Sequence, residues 1–167
     1  DGSLTILAGG SPDVLERVRP VLACLGKVII HCGQVGAGTD MKLFINVLLG
    51  TLMQSFAEAL TLGTSFGLRL ADMLAAVKNS AVACPMFSVK GTAISAGNFE
   101  KNFPVELIFK DLNLALQAAG REHVPLPVTA AAREAFCAAM ARGLAGQDMC
   151  AVIRVLEETT GLRVGQK

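Results

Sequence analysis

The chain has 167 residues, 52 % of them hydrophobic and only 17 % charged, with a mean hydropathy of +0.51 and a formal net charge of +1. That length suits one domain with a sizeable core, and the near-neutral charge without a polybasic run excludes an electrostatic footprint for nucleic acid. The five cysteines, at 24, 32, 84, 137 and 150, show no metal-ligand spacing and read as reduced thiols of a cytoplasmic protein, with no metal site expected.

In chain order, "LTILA" (4–8) is a β-prone run ended by Gly9-Gly10. Ser11-Pro12-Asp13 starts a helix, with Ser11 as N-cap and Pro12 at the first helical position, running to about Leu25 and stopped by Gly26. "KVIIHC" (27–32) is a second strand. Strand, helix and strand make one βαβ-like unit, too small to stand alone and with strands that have no sheet to join. Everything after Gly38 reads as helix. Thr39 or Asp40 caps a long helix to about Phe66, followed by "LADMLAAVKNS" and a weaker helix "PMFSVKGTAISAG". Asn102-Phe103-Pro104 starts "VELIFKDLNLALQAAGREH", and "PVTAAAREAFCAAMARG" and "DMCAVIRVLEETTG" complete the set. The longest apolar run, Leu43 to Leu60, is interrupted by Asn46, Gln54 and Glu58, which argues against a membrane span. Nor do the apolar residues form a single stripe opposite a basic face, as an interfacial helix needs.

Within "VGAGTDMKLFIN" (35–46), Lys42 and Asn46 are four residues apart and share one helix face. Gly50, four further on, leaves room beside them. A lysine in the first turn of a helix is opposed by the macrodipole, and apolar burial would add to that cost. Such a residue is suited to exchanging protons, with the Asn46 amide placed to hold a small polar substrate. The alternative is a Lys42 that snorkels to solvent and an Asn46 that satisfies a buried backbone group.

"DGSLTILAGG" followed by "VGAGTDMKLFIN" resembles the β-hydroxyacid dehydrogenases, the family of 3-hydroxyisobutyrate dehydrogenase, tartronate semialdehyde reductase and the glyoxylate/succinic semialdehyde reductases, related to 6-phosphogluconate dehydrogenase. The signature GxGxxxKxxxN is filled at every fixed position by Gly36, Gly38, Lys42 and Asn46. "FAEALTLGTSFGL", "FPVELIFKDLNLAL", "PLPVTAAAREAF" and "GLAGQDMCAVIRVLE" extend the likeness over nearly the whole chain. The resemblance implies that Lys42 is the catalytic acid/base and that Asn46 and Gly38 hold substrate. It also implies that Lys110 touches an NAD or NADP cofactor, with Phe103 and Asp111 as further cofactor-site residues. Asp111 has a structural alternative, since a mid-helix carboxylate often orients a neighbouring lysine.

The chain has no GxGxxG loop and no serine-glycine-glycine substrate loop, and it opens at Asp1. The expected architecture is therefore mainly α: the C-terminal helical domain of a 6-phosphogluconate dehydrogenase-like enzyme, after a terminal βαβ piece of the nucleotide-binding domain. The expected domains are residues 1–35, a remnant of the Rossmann-type domain, and 36–167, a helical substrate and dimerisation domain. The implied partners are a small acid substrate, the protein's own N-terminal nucleotide-binding domain and further copies of itself. By itself this piece is expected to be inactive. The competing reading is a non-catalytic helical dimerisation or binding module.

Overall fold

A computed structural model describes residues 2–165. These form two compact units that divide between Asn46 and Val47.

In the first unit, β1 (Leu4–Gly9), α1 (Pro12–Leu22) and β2 (Gly26–Gly33) form a βαβ unit whose strands run parallel. The strands expected to be orphans pair with each other in a two-stranded sheet, Thr5 opposite Val28 and Ala8 opposite His31. Ser11 caps α1 as its sequence predicts, accepting the Val14 N–H at 3.3 Å, with Pro12 in the first turn. α1 ends three residues earlier than expected, because Ala23 to Leu25 close a tight turn through Cys24 N–H to Val21 and Leu25 N–H to Leu22. Gly26 is consequently the first residue of β2 rather than a helix cap, and a Cβ there would run into the Leu4 carbonyl oxygen of β1. The His31 ring nitrogen Nε2 lies 2.8 Å from the Gly10 carbonyl oxygen, which ties β2 to the turn after β1.

α2 (Ala37–Ser65) begins in the first unit and continues into the second. It starts two or three residues before the predicted caps. Gly36, at φ +100, turns the chain, and its carbonyl accepts the Thr39 and Asp40 N–H groups. By length and composition α2 could cross a membrane, with a hydropathy of 1.5 over its most apolar window. However, 39 % of that window is buried inside the protein, and its Met53, Phe56, Ala57 and Leu60 belong to the core of the second unit. α2 is a core helix.

The rest of the second unit comprises α3 (Leu70–Lys78), α4 (Pro85–Ser95), α5 (Val105–Arg121), α6 (Pro127–Ala141), a 3-10 turn at Met149–Val152 and α7 (Ile153–Thr160). Its core gathers Met53 and Phe56 from α2, Val105, Ile108 and Leu112 from α5, Phe136 from α6 and the whole 149–153 segment. The Phe56 and Phe87 rings stack with centroids 4.5 Å apart. Gly50 does not leave open room beside Lys42 and Asn46. A Cβ there would lie 2.9 Å from both Leu112 methyls, so the glycine admits a core leucine of α5. The single helix expected from Asp148 is divided, since Asp148 caps the 3-10 turn by accepting the Cys150 N–H at 3.0 Å and α7 follows. Gly161, at φ 72, ends α7 as the sequence indicates.

Candidate functional site

In the first unit, the far end of β1 meets the start of α2, and the two glycines of the GxG stretch have different physical tasks. Gly36 adopts a φ that L side chains avoid. Gly38 is a matter of space: a Cβ there would lie 2.5 Å from the Leu7 carbonyl oxygen and 3.2 Å from the Gly9 nitrogen. Gly9 has the reciprocal constraint, its Cβ position lying 2.6 Å from the Gln34 carbonyl oxygen and 3.0 Å from the Gly38 nitrogen. Backbone therefore packs directly on backbone at this corner.

The same corner carries a cavity of about 420 Å³ lined by Thr5, Leu7, Gly9, Gly36, Gly38, Thr39 and Lys42. Lys42 is one helical turn beyond Gly38 on the same face, its side chain exposed. It is not in the first turn, because α2 starts at Ala37, and it is not buried. Both physical reasons for expecting a strained lysine are thus weaker than the sequence suggested, since the macrodipole falls off within the first turn. What stands is placement: an ammonium at the edge of a cavity with hydroxyl groups from Thr5 and Thr39. Asn46 lies one further turn along, 6 % exposed, and is not among the residues lining the cavity.

Lys110, Asp111 and Phe103 all lie in the second unit. Lys110 projects into solvent from α5, and its Nζ is 3.1 Å from Oδ1 of the buried Asp111. Adjacent residues on a helix do not normally face each other, so the flexible lysine stem makes this pair possible. Phe103 precedes α5, half-buried against the core. Its N–H donates to Asp148 Oδ2 at 3.1 Å and its carbonyl accepts the Met149 N–H at 2.8 Å.

The sequence reading missed the group holding that segment. Lys90 of α4 donates to Asp148 Oδ2 at 2.7 Å, both side chains being almost fully buried. With the Phe103 and Cys150 N–H groups, the Asp148 carboxylate receives three donors. Burial works to raise its carboxyl, but Lys90 and the backbone donors outweigh burial and hold it below its ordinary value. Burial, reinforced by Asp148, pushes the neighbouring Cys150 thiol up to about 12. The available signal was a lysine inside the apolar stretch "PMFSVKGTAIS", but nothing local names its partner 58 residues away. Among the described residues there is no cluster of metal-ligating side chains.

Residues 36–156 match a family model described as the NAD-binding domain of NADP-dependent 3-hydroxyisobutyrate dehydrogenase. The chain is 43 % identical over 164 residues to 2-(hydroxymethyl)glutarate dehydrogenase of Eubacterium barkeri, covering 98 % of this chain and 54 % of that protein. It is 38 % identical to glyoxylate/succinic semialdehyde reductase 1 of Arabidopsis thaliana, covering 94 % of this chain and 54 % of the relative. A solved 3-hydroxyisobutyrate dehydrogenase of Mycobacterium tuberculosis with L-serine superposes with a TM-score of 0.86 at 29 % identity, over 93 % of this chain and 55 % of that one. The chain thus spans about half the length of the curated relatives it matches.

This match corrects the expected fold assignment. The helices are not a C-terminal helical domain standing apart from nucleotide binding, because the model matching 36–156 is itself an NAD-binding domain. The expectation failed on a physical premise: it took a glycine-rich loop after a strand as the requirement for binding a dinucleotide. Helix-borne side chains also offer cationic and hydrogen-bonding groups, as exposed Lys110 on α5 does.

Proposed function

The chain belongs to the 3-hydroxyisobutyrate dehydrogenase family, and we propose that it serves in an NAD(P)-dependent oxidoreductase acting on a small β-hydroxy acid or semialdehyde acid, with Lys42 as the acid/base. The observation that carries the reading is the Gly36–Gly38 corner, which sets the Lys42 ammonium at the edge of the cavity. The substrate class follows the relatives, a hydroxymethylglutarate dehydrogenase and a glyoxylate/succinic semialdehyde reductase.

A bound nicotinamide supplies or accepts the hydride. In the reducing direction the Lys42 ammonium gives its proton to the substrate carbonyl oxygen, and in the oxidising direction neutral Lys42 takes the proton from the hydroxyl. Gly38, by letting α2 pack against the Leu7 carbonyl, shapes the cavity wall beside the substrate, and Asn46, on the face of Lys42, holds the acid by hydrogen bonding. Lys110 offers its exposed ammonium to the negatively charged cofactor while buried Asp111 fixes its direction. Phe103 takes part through the segment that it anchors against Asp148. The side chains that could hold such a cofactor and its substrate are the Thr5 and Thr39 hydroxyls and the Lys42 ammonium at the cavity and the exposed Lys110 ammonium on α5.

The first unit exposes Leu4, Val14, Val18, Val21, Val28 and Ile30, apolar surface suited to covering by a further nucleotide-binding part of the same protein. Leu48, Leu52 and Leu62 on α2, with Phe66 just after it, are exposed apolar residues suited to self-association in the cytoplasm. The 167-residue chain alone is proposed to be inactive.

The experiment is NADPH and NADH oxidation by the intact protein with glyoxylate, succinic semialdehyde and tartronate semialdehyde, wild type against Lys42→Ala. The expected loss in kcat is about 10²–10⁴-fold with little change in cofactor affinity. Turnover unaffected by the substitution, or absent with every substrate, would overturn the reading.

A further inference from the structure

A cavity of about 750 Å³ in the second unit, bordered by α4, α7 and the residues after α6, is lined by none of the candidate site residues above, although its Phe99 carbonyl accepts the Asp148 N–H. Its lining carries three arginines, Arg142, Arg154 and Arg163, against two glutamates, Glu157 and Glu158. Both carboxylates are already committed. Glu158 pairs with Arg142 at 2.5 Å, and Arg142 also donates to the Ala138 carbonyl. Glu157 accepts the Val164 N–H at 2.8 Å and lies 3.4 Å from Arg163.

Arg154 is the cation left over. It has no carboxylate partner among the described residues. Instead its guanidinium carbon lies over the Phe99 ring, 4.2 Å from the centroid, and Nη1 donates to Gln147 Oε1 at 3.2 Å. The cation–π contact with Phe99 and a hydrogen bond at one corner restrain the planar fork and leave other N–H groups free. Pre-orientation is what separates this arginine from an ordinary surface cation, because the ordering cost is already met in the absence of ligand. Buried Ile94, Leu144 and Val164 supply apolar walls around it.

We propose that this cavity is a binding site for a small oxyanion, a phosphate or a carboxylate group, held by the free edge of Arg154. Its charge balance is completed by the ligand, since three guanidiniums face two carboxylates. The flanking Arg142–Glu158 and Arg163–Glu157 pairs hold the rim, and the site acts independently of Lys42 and Lys110.

The test is a titration of the full-length protein with sodium phosphate and, separately, sodium succinate, at ionic strength matched with sodium chloride. Binding is read by calorimetry and by the Arg154 Nε–Hε resonance. A shift with phosphate alone identifies a phosphate-bearing ligand, with succinate alone a carboxylate, and with both a general oxyanion site; each supports the assignment. Arg154→Gln weakens binding about tenfold or more, and Lys110→Gln leaves it unchanged. Arg154→Lys keeps the stem and charge but loses the planar fork. It too binds about tenfold more weakly, which keeps the test valid if the glutamine variant folds poorly. No response to either anion, binding unaltered in both Arg154 variants, or loss of binding in Lys110→Gln overturns the proposal. The last result would place the anion at Lys110 and leave the dehydrogenase reading standing.

Discussion

Replacing Lys90 by methionine isolates the buried ion pair that holds the start of α5. The methionine keeps most of the volume, so the loss is of pairing rather than of packing. Asp148, 3 % exposed, would be left with the Cys150 and Phe103 N–H groups and the Cys150 thiol as donors. Removing one partner of a buried pair typically costs 3–5 kcal/mol, and the two surviving backbone hydrogen bonds put the expectation at the lower end, about 3 kcal/mol at pH 7. For a chain of this size that corresponds to a fall of about 6–12 °C in Tm. The protein has no tryptophan or tyrosine, so unfolding is followed by far-UV circular dichroism in urea.

The pH dependence gives an independent check on the same pair. The folded-state Asp148 carboxyl lies below its ordinary 3.8, so its contribution to stability is fully present above that value and disappears as pH falls through the lower folded value. The gap between wild type and Lys90→Met should therefore be constant near neutrality and close as pH falls through the acid range below the carboxyl's ordinary value. A loss below about 1 kcal/mol at pH 7, or a gap that ignores pH, would refute the reasoning by showing that Lys90 contributes only volume.

Two further outcomes follow from local geometry. Gly38→Ala places a methyl against the Leu7 carbonyl and the Gly9 nitrogen, backbone atoms that cannot turn aside, and should cost about 1–2 kcal/mol despite alanine's better helix propensity. Gly120→Ala in α5, where the added Cβ meets nothing within 4 Å, should stabilise by about 0.5–1 kcal/mol; urea midpoints of the two variants in parallel decide this, and equal signs would contradict the close approach at Gly38. With its thiol pushed up to about 12 by burial and Asp148, Cys150 should resist iodoacetamide at pH 8 while exposed Cys24 reacts, as mass spectrometry before and after urea unfolding would show. Alkylation of Cys150 at the rate of Cys24 in the native protein would be incompatible with that burial.

What was legible in the sequence is what is encoded within one or two helical turns. Ser11-Pro12 announced α1, Gly161 its counterpart at the end of α7, and the spacing from Gly36 to Asn46 placed three of the motif's residues on one helix. Each of these depends on neighbours in sequence. Helix ends were less certain, because Gly36 starts α2 through its own backbone conformation and no side-chain cap marks it. At Gly26 a contact with β1 decided the matter, turning an apparent helix stop into a strand residue.

The two lysines show where local reading ends. Lys42 and Lys90 both stand in apolar helices next to or near a glycine, and by composition Lys42, in the longer and greasier helix, is the better candidate for burial. The structure reverses the order: Lys42 is exposed and Lys90 is 7 % exposed. A lysine stays inside only if something supplies a carboxylate to replace water, and for Lys90 that carboxylate arrives from 58 residues away on the cap of the 3-10 turn. No periodicity within α4 carries that information. The two kinds of lysine also differ in what they can do. Lys90 is locked in a neutralised pair and serves to hold Phe103 and the entry to α5. Lys42, open to a cavity, retains the mobility and solvent contact that proton exchange with a substrate requires.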